Sequence, residues 1–153
     1  MRPILLATDG SPSAEDATRE ALELAAGLGA PLVVAAVEHV TAPAYGYYGY
    51  AEVYSELRKG EHEHVTQVLE EVGARATALG LDCETVPLEG VVVEEICKLA
   101  KERDAQLLVV GAHGWGSIRR FVFGSVSTGL LHEAPCPVLV ARGAAKPREV
   151  ATS

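Results

Sequence analysis

The chain has 153 residues, and 13 lysines and arginines against 21 aspartates and glutamates give it a formal charge of −8. This length predicts one domain, and 48% hydrophobic with 22% charged residues exclude an intrinsically disordered chain. The acidic balance counts against sequence-independent binding of nucleic acid or anionic lipid, because no surplus of cations is available to neutralise phosphates.

Apolar runs of strand length alternate with stretches of helical period, a pattern typical of an α/β domain with a largely parallel sheet. The first strand is predicted from Ile4 to Ala7. Ser11 then predicts a helix N-cap, and Pro12 suits the first helical position because its missing N–H has no intrahelical partner there. Gly29 is expected to end this helix, whose predicted buried stripe is Ala14, Ala17, Ala21, Leu24, Ala25 and Leu28.

A second buried strand is predicted from Leu32 to Val37, followed by a segment from Thr41 to Tyr54 that contains every tyrosine of the chain. We interpret this segment as a connecting loop, with a lid over a ligand or a surface for a partner as alternatives. Its tyrosines are Tyr45, Tyr47, Tyr48, Tyr50 and Tyr54.

A long helix is expected next, because apolar residues recur at spacings of three and four before Gly80. Its predicted buried residues are Val65, Leu69, Val72, Ala76 and Leu79. A short strand from Cys83 to Val86 follows, and we expect Pro87 and Gly90 to break the chain there.

The remaining predicted elements complete a count of five strands and four helices. They are a helix marked by Val92, Ile96, Leu99 and Ala100, a strand from Gln106 to Val110, a helix from about Ser125 to His132 and a strand from Val138 to Ala141. The fourth strand is continuously apolar, which is typical of a strand buried on both faces. We expect one domain over residues 1–143 and a short C-terminal tail over 144–153.

Three cysteines and two of the histidines are candidate metal ligands by residue type. Cys83, Cys97 and Cys136 are odd in number and form no CxxC pair, so we predict buried thiols rather than disulfides or a zinc site. His62 and His64 stand two apart on a predicted helix and are expected to point to different faces, which does not favour a metal site.

No apolar run reaches the roughly 20 residues that span a bilayer, and the start of the chain lacks a signal-peptide layout. We therefore expect a cytoplasmic protein with no membrane partner.

Two predicted strand ends carry polar loops, residues 8–10 after the first strand and residues 111–117 after the fourth. In an open parallel sheet, ligands bind beyond the carboxyl ends of the strands, so neighbouring loops of this kind would face one crevice. Glycines at 111 and 114, with a helix start after Gly124, suit an anion cradle because backbone N–H groups can approach a phosphate closely. Turn glycines and an ordinary N-cap serine are the alternative interpretation of the same residues.

Other chemistries lack their motifs. The chain has no GxxxxGK[ST] and no GxGxxG after its first strand, and it has neither a GxSxG elbow nor a carboxylate pair beside the glycine loop. His113, Arg119 and Arg120 are the candidate cations of the loop, and solvated surface positions are the alternative for the arginines. No catalytic residue and no metal ligand are predicted.

The spacing Gly111-x2-Gly114-x9-Gly124-Ser125 resembles the ATP-binding motif of the universal stress protein family. The opening strand with its acidic turn and the ending at residues 134–140 are similar to that family as well, so the likeness covers essentially the whole chain. It implies a flavodoxin-like, or adenine nucleotide α hydrolase-like, three-layer α/β sandwich. The implied sheet has five parallel strands in the order 3-2-1-4-5.

The resemblance also implies ATP, with Mg, bound between the first and fourth strands. Ala7, Thr8 and Asp9 would line the nucleoside, and the backbone of Val37 would meet adenine. Asp9 would accept from a ribose hydroxyl or the adenine amino group, and a carboxylate that caps the Ser11 helix or its own turn is the alternative. The residues implied to flank the ribose and hold the phosphates are Gly111, His113, Gly114, Gly124, Ser125, Val126 and Ser127.

His113 stands where the family commonly has an arginine, which implies a weaker, pH-dependent contact. The loop offers no water-positioning carboxylate or glutamine, so we expect binding with little turnover, as in a nucleotide-dependent stress-response sensor or regulator. A slow ATPase or nucleotidyl-transfer enzyme and a scaffold without nucleotide are the alternatives. The resemblance further implies a homodimer paired through Val138-Leu139-Val140, alongside a protein partner that the sequence does not identify.

Overall fold

The computed structural model of the chain describes residues 1–38, 50–113 and 124–143. The elements within them are β1 (Ile4–Ala7), α1 (Pro12–Leu28), β2 (Leu32–Glu38), α2 (Tyr50–Ala78), β3 (Cys83–Glu89), α3 (Val92–Glu102), β4 (Leu107–Gly111), α4 (Ser125–Glu133) and β5 (Val138–Ala141). All pairings are parallel, and the strand order is β3-β2-β1-β4-β5. The expected 3-2-1-4-5 order is confirmed.

Helices cover both faces of the sheet. Successive strand residues point to opposite sides, so one strand packs against both helix layers. Ile4 and Leu6 of β1 pack with α1 and α2, whereas Leu5 and Ala7 pack with α3 and α4. Each of these β1 residues is 7% exposed or less. The three-layer α/β sandwich predicted from the sequence is therefore confirmed.

Helix α1 begins and ends as its sequence predicts. Ser11 is the N-cap and its hydroxyl accepts from the Ala14 N–H, while Gly29 closes the helix in the left-handed region at φ 63°. The predicted burial of Leu28 is wrong, since it is 54% exposed at the last turn. Thr18 and Leu22 are buried in addition to the predicted stripe, and Thr18 tolerates burial because its hydroxyl donates to the Ala14 carbonyl at 2.9 Å.

Helix α2 has 29 residues and begins at Tyr50, earlier than predicted. Tyr50 and Tyr54 therefore lie in this helix rather than in a loop, whereas the other tyrosines lie outside the described residues. Among the side chains of this helix that the structure describes, from residue 52 onward, Val65 is the first buried one, so no buried apolar stripe marks the start of the helix. The predicted burial of Leu79 is also wrong, because it follows the helix and is 58% exposed.

Strand β3 continues through Pro87, which was expected to break the chain. Pro87 pairs with Ala36 of β2, and the strand ends only at Glu89. Because β3 is an edge strand, a residue without an N–H can be accommodated there.

Cys83, Cys97 and Cys136 are free thiols and half-buried rather than fully buried as predicted. Among the described residues, no helix combines the length and apolar character that crossing a membrane requires.

Candidate functional site

The turn between β1 and α1 is closed by its own side chains. The Thr8 hydroxyl oxygen accepts from the Gly10 N–H at 3.2 Å, and Asp9 Oδ1 accepts from the Ser11 N–H at 2.9 Å. Gly10 has φ +75°, in the left-handed region that favours glycine. Asp9 thus makes the turn contact that the sequence left open as an alternative, and its exposed side chain stands at the carboxyl end of β1.

The carboxyl end of β4 lies directly beside that turn. Ala7 of β1 pairs with Val110 of β4. Two residues further on, the His113 N–H donates to the Ser13 hydroxyl at 3.1 Å. The predicted juxtaposition of the two strand ends is therefore present, and α1 begins between them.

Helix α4 begins at the same corner of the sheet. Gly124 is its N-cap, and the Gly124 N–H donates to the Ala112 carbonyl just after β4, at 2.9 Å. No side chain caps this helix within the described residues. The interpretation of Ser125 as the N-cap is wrong, because Ser125 is the first helical residue and is exposed. A helix start of this kind offers N–H groups without intrahelical partners.

Ser127 is 2% exposed, and its hydroxyl lies 3.1 Å from the Ala112 carbonyl oxygen and 3.0 Å from the Gly124 carbonyl oxygen. Its single proton is donated to these two acceptors. The side chain therefore joins the end of β4 to the start of α4.

Val37 lies one strand away from this corner. It pairs with Leu88 of β3 and is half-buried against the α3 and α4 side of the sheet. The neighbouring residue Glu38 points to the α2 side, is 7% exposed, and contacts His62 Nδ1 through Oε1.

The two histidines of α2 contact two different strand ends. His62 meets Glu38 at the end of β2, and His64 Nε2 lies 2.9 Å from the Asp9 carbonyl oxygen after β1. Sequence reasoning missed both contacts. The sequence signal that could have found these contacts is the position of each histidine on the helix. His62 precedes the buried Val65 by three positions and His64 precedes the buried Val68 by four, and residues so spaced are neighbours on one helix face.

Two cavities flank these histidines. One of about 370 Å³ lies between α1 and α2, with Thr8, His64 and Arg75 among its lining residues. The other, of about 590 Å³, lies beside the ends of β2 and β3 and includes Glu38 and His62. Across the first cavity Arg75 donates two hydrogen bonds to Glu15, and these bonds raise the pKa of the guanidinium.

The predicted site residues that the structure describes thus gather mainly at one corner. This corner brings together residues from β1, β4 and the start of α4. Val37 lies one strand away, near the end of the neighbouring strand β2. Gly114, Trp115, Arg119 and Arg120 lie outside the described residues. Among the described residues, no three His, Cys, Asp or Glu side chains are arranged to hold a metal ion.

Comparison with known proteins identifies relatives of this chain. The model of the universal stress protein family matches residues 1–142. A universal stress protein of Methanocaldococcus jannaschii is 33% identical over 92% of this chain and 82% of its own length.

Solved structures agree with the family match. The universal stress protein UspA from Lactobacillus plantarum superimposes with a TM-score of 0.82 at 28% identity, covering 92% of this chain and 97% of that one. A universal stress protein solved in complex with cAMP gives a TM-score of 0.69 at 28% identity, with the same coverage of 92% and 97%.

Proposed function

The chain belongs to the universal stress protein family, and from that premise we propose that it binds an adenine nucleotide at the carboxyl ends of β1 and β4. The observation that carries the proposal is the meeting of three features at one corner. These are the exposed Asp9 carboxylate, the end of β4, and an α4 N-terminus without a side-chain cap. The relative solved with cAMP supports an adenine nucleotide as the class of ligand.

The phosphates belong at the α4 end of this corner. There the N–H groups of Ser125, Val126 and Ser127, with the Ser125 hydroxyl, are proposed to donate to phosphate oxygens. Gly124, the N-cap of α4, adds no side chain at this helix start. The Ser127 hydroxyl is not part of this proposal, because it already donates within the protein. His113 and Gly114 are proposed to flank the ribose and phosphates.

The nucleoside belongs at the β1 end. Ala7 and Thr8 are proposed to line it, and the Val37 backbone is proposed to meet adenine. Asp9 is proposed to accept from a ribose hydroxyl or from the adenine amino group. A carboxylate accepts several hydrogen bonds, so the bond from Ser11 is compatible with this role.

ATP with Mg is the proposed form of the ligand. The first turn of α4 contains no acidic residue, so it offers no carboxylate for a cation at the phosphate end. Magnesium keeps several waters and is commonly held through substrate phosphates, so the triphosphate itself would supply its ligands.

We further propose a regulatory rather than an enzymatic role, in a homodimer. Fast phosphoryl transfer needs a residue that orients water, and the first turn of α4 supplies neither a carboxylate nor a glutamine. β5 is an edge strand whose Val138, Leu139 and Val140 are only half-buried, which suits pairing with a second copy.

The ligand class is tested by displacement of a fluorescent ATP analogue from the full chain. We expect ATP to displace it in the micromolar range, and GTP to displace it at least about tenfold less well because the Val37 backbone would read the adenine edge. Equal displacement by GTP would contradict adenine recognition, and no displacement at millimolar ATP would contradict nucleotide binding. Phosphate release above that of the Gly114→Val variant would favour the slow ATPase instead.

A further inference from the structure

Helix α2 presents two neighbouring rows of side chains. One row packs on the sheet and consists of Val65, Leu69, Val72 and Ala76. The other row faces α1 and the β1–α1 turn at spacings of four, three and four, and consists of His64, Val68, Glu71 and Arg75. Residues so spaced share one face of a helix, so this second row is a continuous contact surface.

His64 stands at the end of the second row that is nearest the proposed nucleotide corner. Its Nε2 lies 2.9 Å from the Asp9 carbonyl oxygen. Because a carbonyl oxygen can only accept, Nε2 is the donor and carries the proton. The ring also covers the turn, since a Cβ built on Gly10 would lie 3.3 Å from His64 Cε1.

Asp9 is consequently held on two sides. His64 binds its main-chain carbonyl oxygen, and the Ser11 N–H binds its Oδ1. Two fixed points on one residue set both the plane of its peptide group and the direction of its carboxylate. Nucleotide binding at this carboxylate would then depend on α2 through the hydrogen bond between His64 and Asp9.

We propose that His64 is a positioning residue that holds the Asp9 carboxylate in the orientation in which the nucleoside meets it. This inference rests on the proposed function. It implies that α2 affects nucleotide affinity through the contact between His64 and Asp9. The other members of the same row are not assigned this role.

Arg75 supplies the matched control. It donates to both carboxylate oxygens of Glu15 at 2.8 and 2.9 Å, so it also joins α2 to α1. It lies 11 residues after His64, about 16 Å along the helix axis at a rise of 1.5 Å per residue. Arg75→Ala therefore removes a contact between the same two helices without removing a hydrogen bond to Asp9.

The test is a calorimetric titration of ATP into the full-length variants His64→Ala, His64→Gln and Arg75→Ala. We expect His64→Ala to weaken ATP binding by about three- to tenfold, the range for loss of one hydrogen bond. His64→Gln should recover most of this loss, because its amide can donate to the same carbonyl. Arg75→Ala should bind ATP as the wild type does.

A double-mutant cycle with Asp9→Asn separates positioning from general loosening. If His64 acts through Asp9, His64→Ala causes no further loss of affinity in the Asp9→Asn background. An equal loss in both backgrounds, or wild-type affinity in His64→Ala, would overturn the proposal.

Hydrogen exchange of the Ser11 amide provides a readout without nucleotide. We expect it to be faster in His64→Ala than in the wild type or Arg75→Ala, and unchanged exchange would overturn the positioning role. Failure of the wild type to bind ATP would overturn the proposed function together with this inference. Wild-type binding that is insensitive to His64 would overturn this inference alone.

Discussion

Gly111 at the end of β4 lies against Ser13 in the first turn of α1, and a Cβ built on Gly111 would come 2.9 Å from the Ser13 carbonyl oxygen. The same Cβ would lie 3.1 Å from the Ala14 backbone nitrogen. Since these neighbours are backbone atoms, no side-chain rotation can make room. The first glycine of the motif is thus required by the packing of helix on sheet, whatever ligand binds beside it.

Gly111→Ala should therefore destabilise the protein by about 1–3 kcal/mol, the usual cost of overpacking. Gly27→Ala is the control, because Gly27 is an exposed position of α1 with nothing within 4 Å of its Cβ. That change should stabilise the fold by about 0.5–1 kcal/mol through helix propensity. Urea unfolding measures both, and a Gly111→Ala protein as stable as the wild type would contradict the packing argument.

Alanine substitutions at Gly10 and Gly29 distinguish the cost of backbone strain from the cost of a steric clash. Both have positive φ, +75° and +63°, but Gly29 faces open space whereas a Cβ on Gly10 would lie 2.7 Å from Val68 Cγ2. Gly29→Ala should cost about 1–2 kcal/mol, the penalty of a left-handed conformation, and Gly10→Ala should cost more. In a Val68→Ala background the cost of Gly10→Ala should fall toward that of Gly29→Ala. An unchanged cost would rule out Val68 as the obstacle.

Ser127 and Ser125 differ in role although both were predicted to hold phosphate. Ser127→Ala should lower stability by about 0.5–1.5 kcal/mol, because the buried hydroxyl donates to the Ala112 and Gly124 carbonyls. Ser125→Ala should leave stability within about 0.5 kcal/mol of the wild type, since the side chain is exposed. Chemical denaturation of the two variants checks this order, and the reverse order would contradict it.

The thiols are expected to react slowly at neutral pH. Burial, followed by the Asp82 and Glu84 carboxylates, raises the pKa of the Cys83 thiol, and burial is also the largest cause of the raised pKa of Cys97 and Cys136. Because the thiolate is the nucleophile, alkylation by iodoacetamide should be slower at pH 7 than for an unstructured cysteine peptide and should accelerate as the pH rises. The urea-unfolded chain is the control, and equal rates for folded and unfolded protein would contradict the prediction.

The sequence predicts most of this fold because its strands and helices differ in hydrophobic period. β5 has its predicted bounds, and α1 has its predicted caps at Ser11 and Gly29. The early start of α2 is missed because, among its described side chains from residue 52 onward, Val65 is the first buried one, and no buried apolar stripe marks the preceding turns. Pro87 is misread because its tolerance depends on the edge position of β3, which is known only from the strand order.

The candidate site is less predictable because its contacts are not local. The Ser127 hydroxyl meets Ala112 across 15 positions, and His64 meets Asp9 across 55. Neither pairing follows from periodicity or spacing. Asp9 differs in this respect, because its contact with Ser11 is only two positions away, and the sequence predicts a carboxylate that caps its own turn as one alternative.

Adenine nucleotide binding at the carboxyl ends of β1 and β4 is tested by a calorimetric titration of nucleotide-free protein with ATP, with and without magnesium, for the wild type and Asp9→Asn. Asparagine keeps an oxygen for the Ser11 N–H but loses the carboxylate charge, so the turn should survive while the ligand contact is lost. We expect the wild type to bind ATP in the micromolar range, roughly −8 kcal/mol. We expect Asp9→Asn to bind ATP at least about tenfold more weakly at unchanged stability. The absence of any binding heat at millimolar ATP would contradict adenine nucleotide binding.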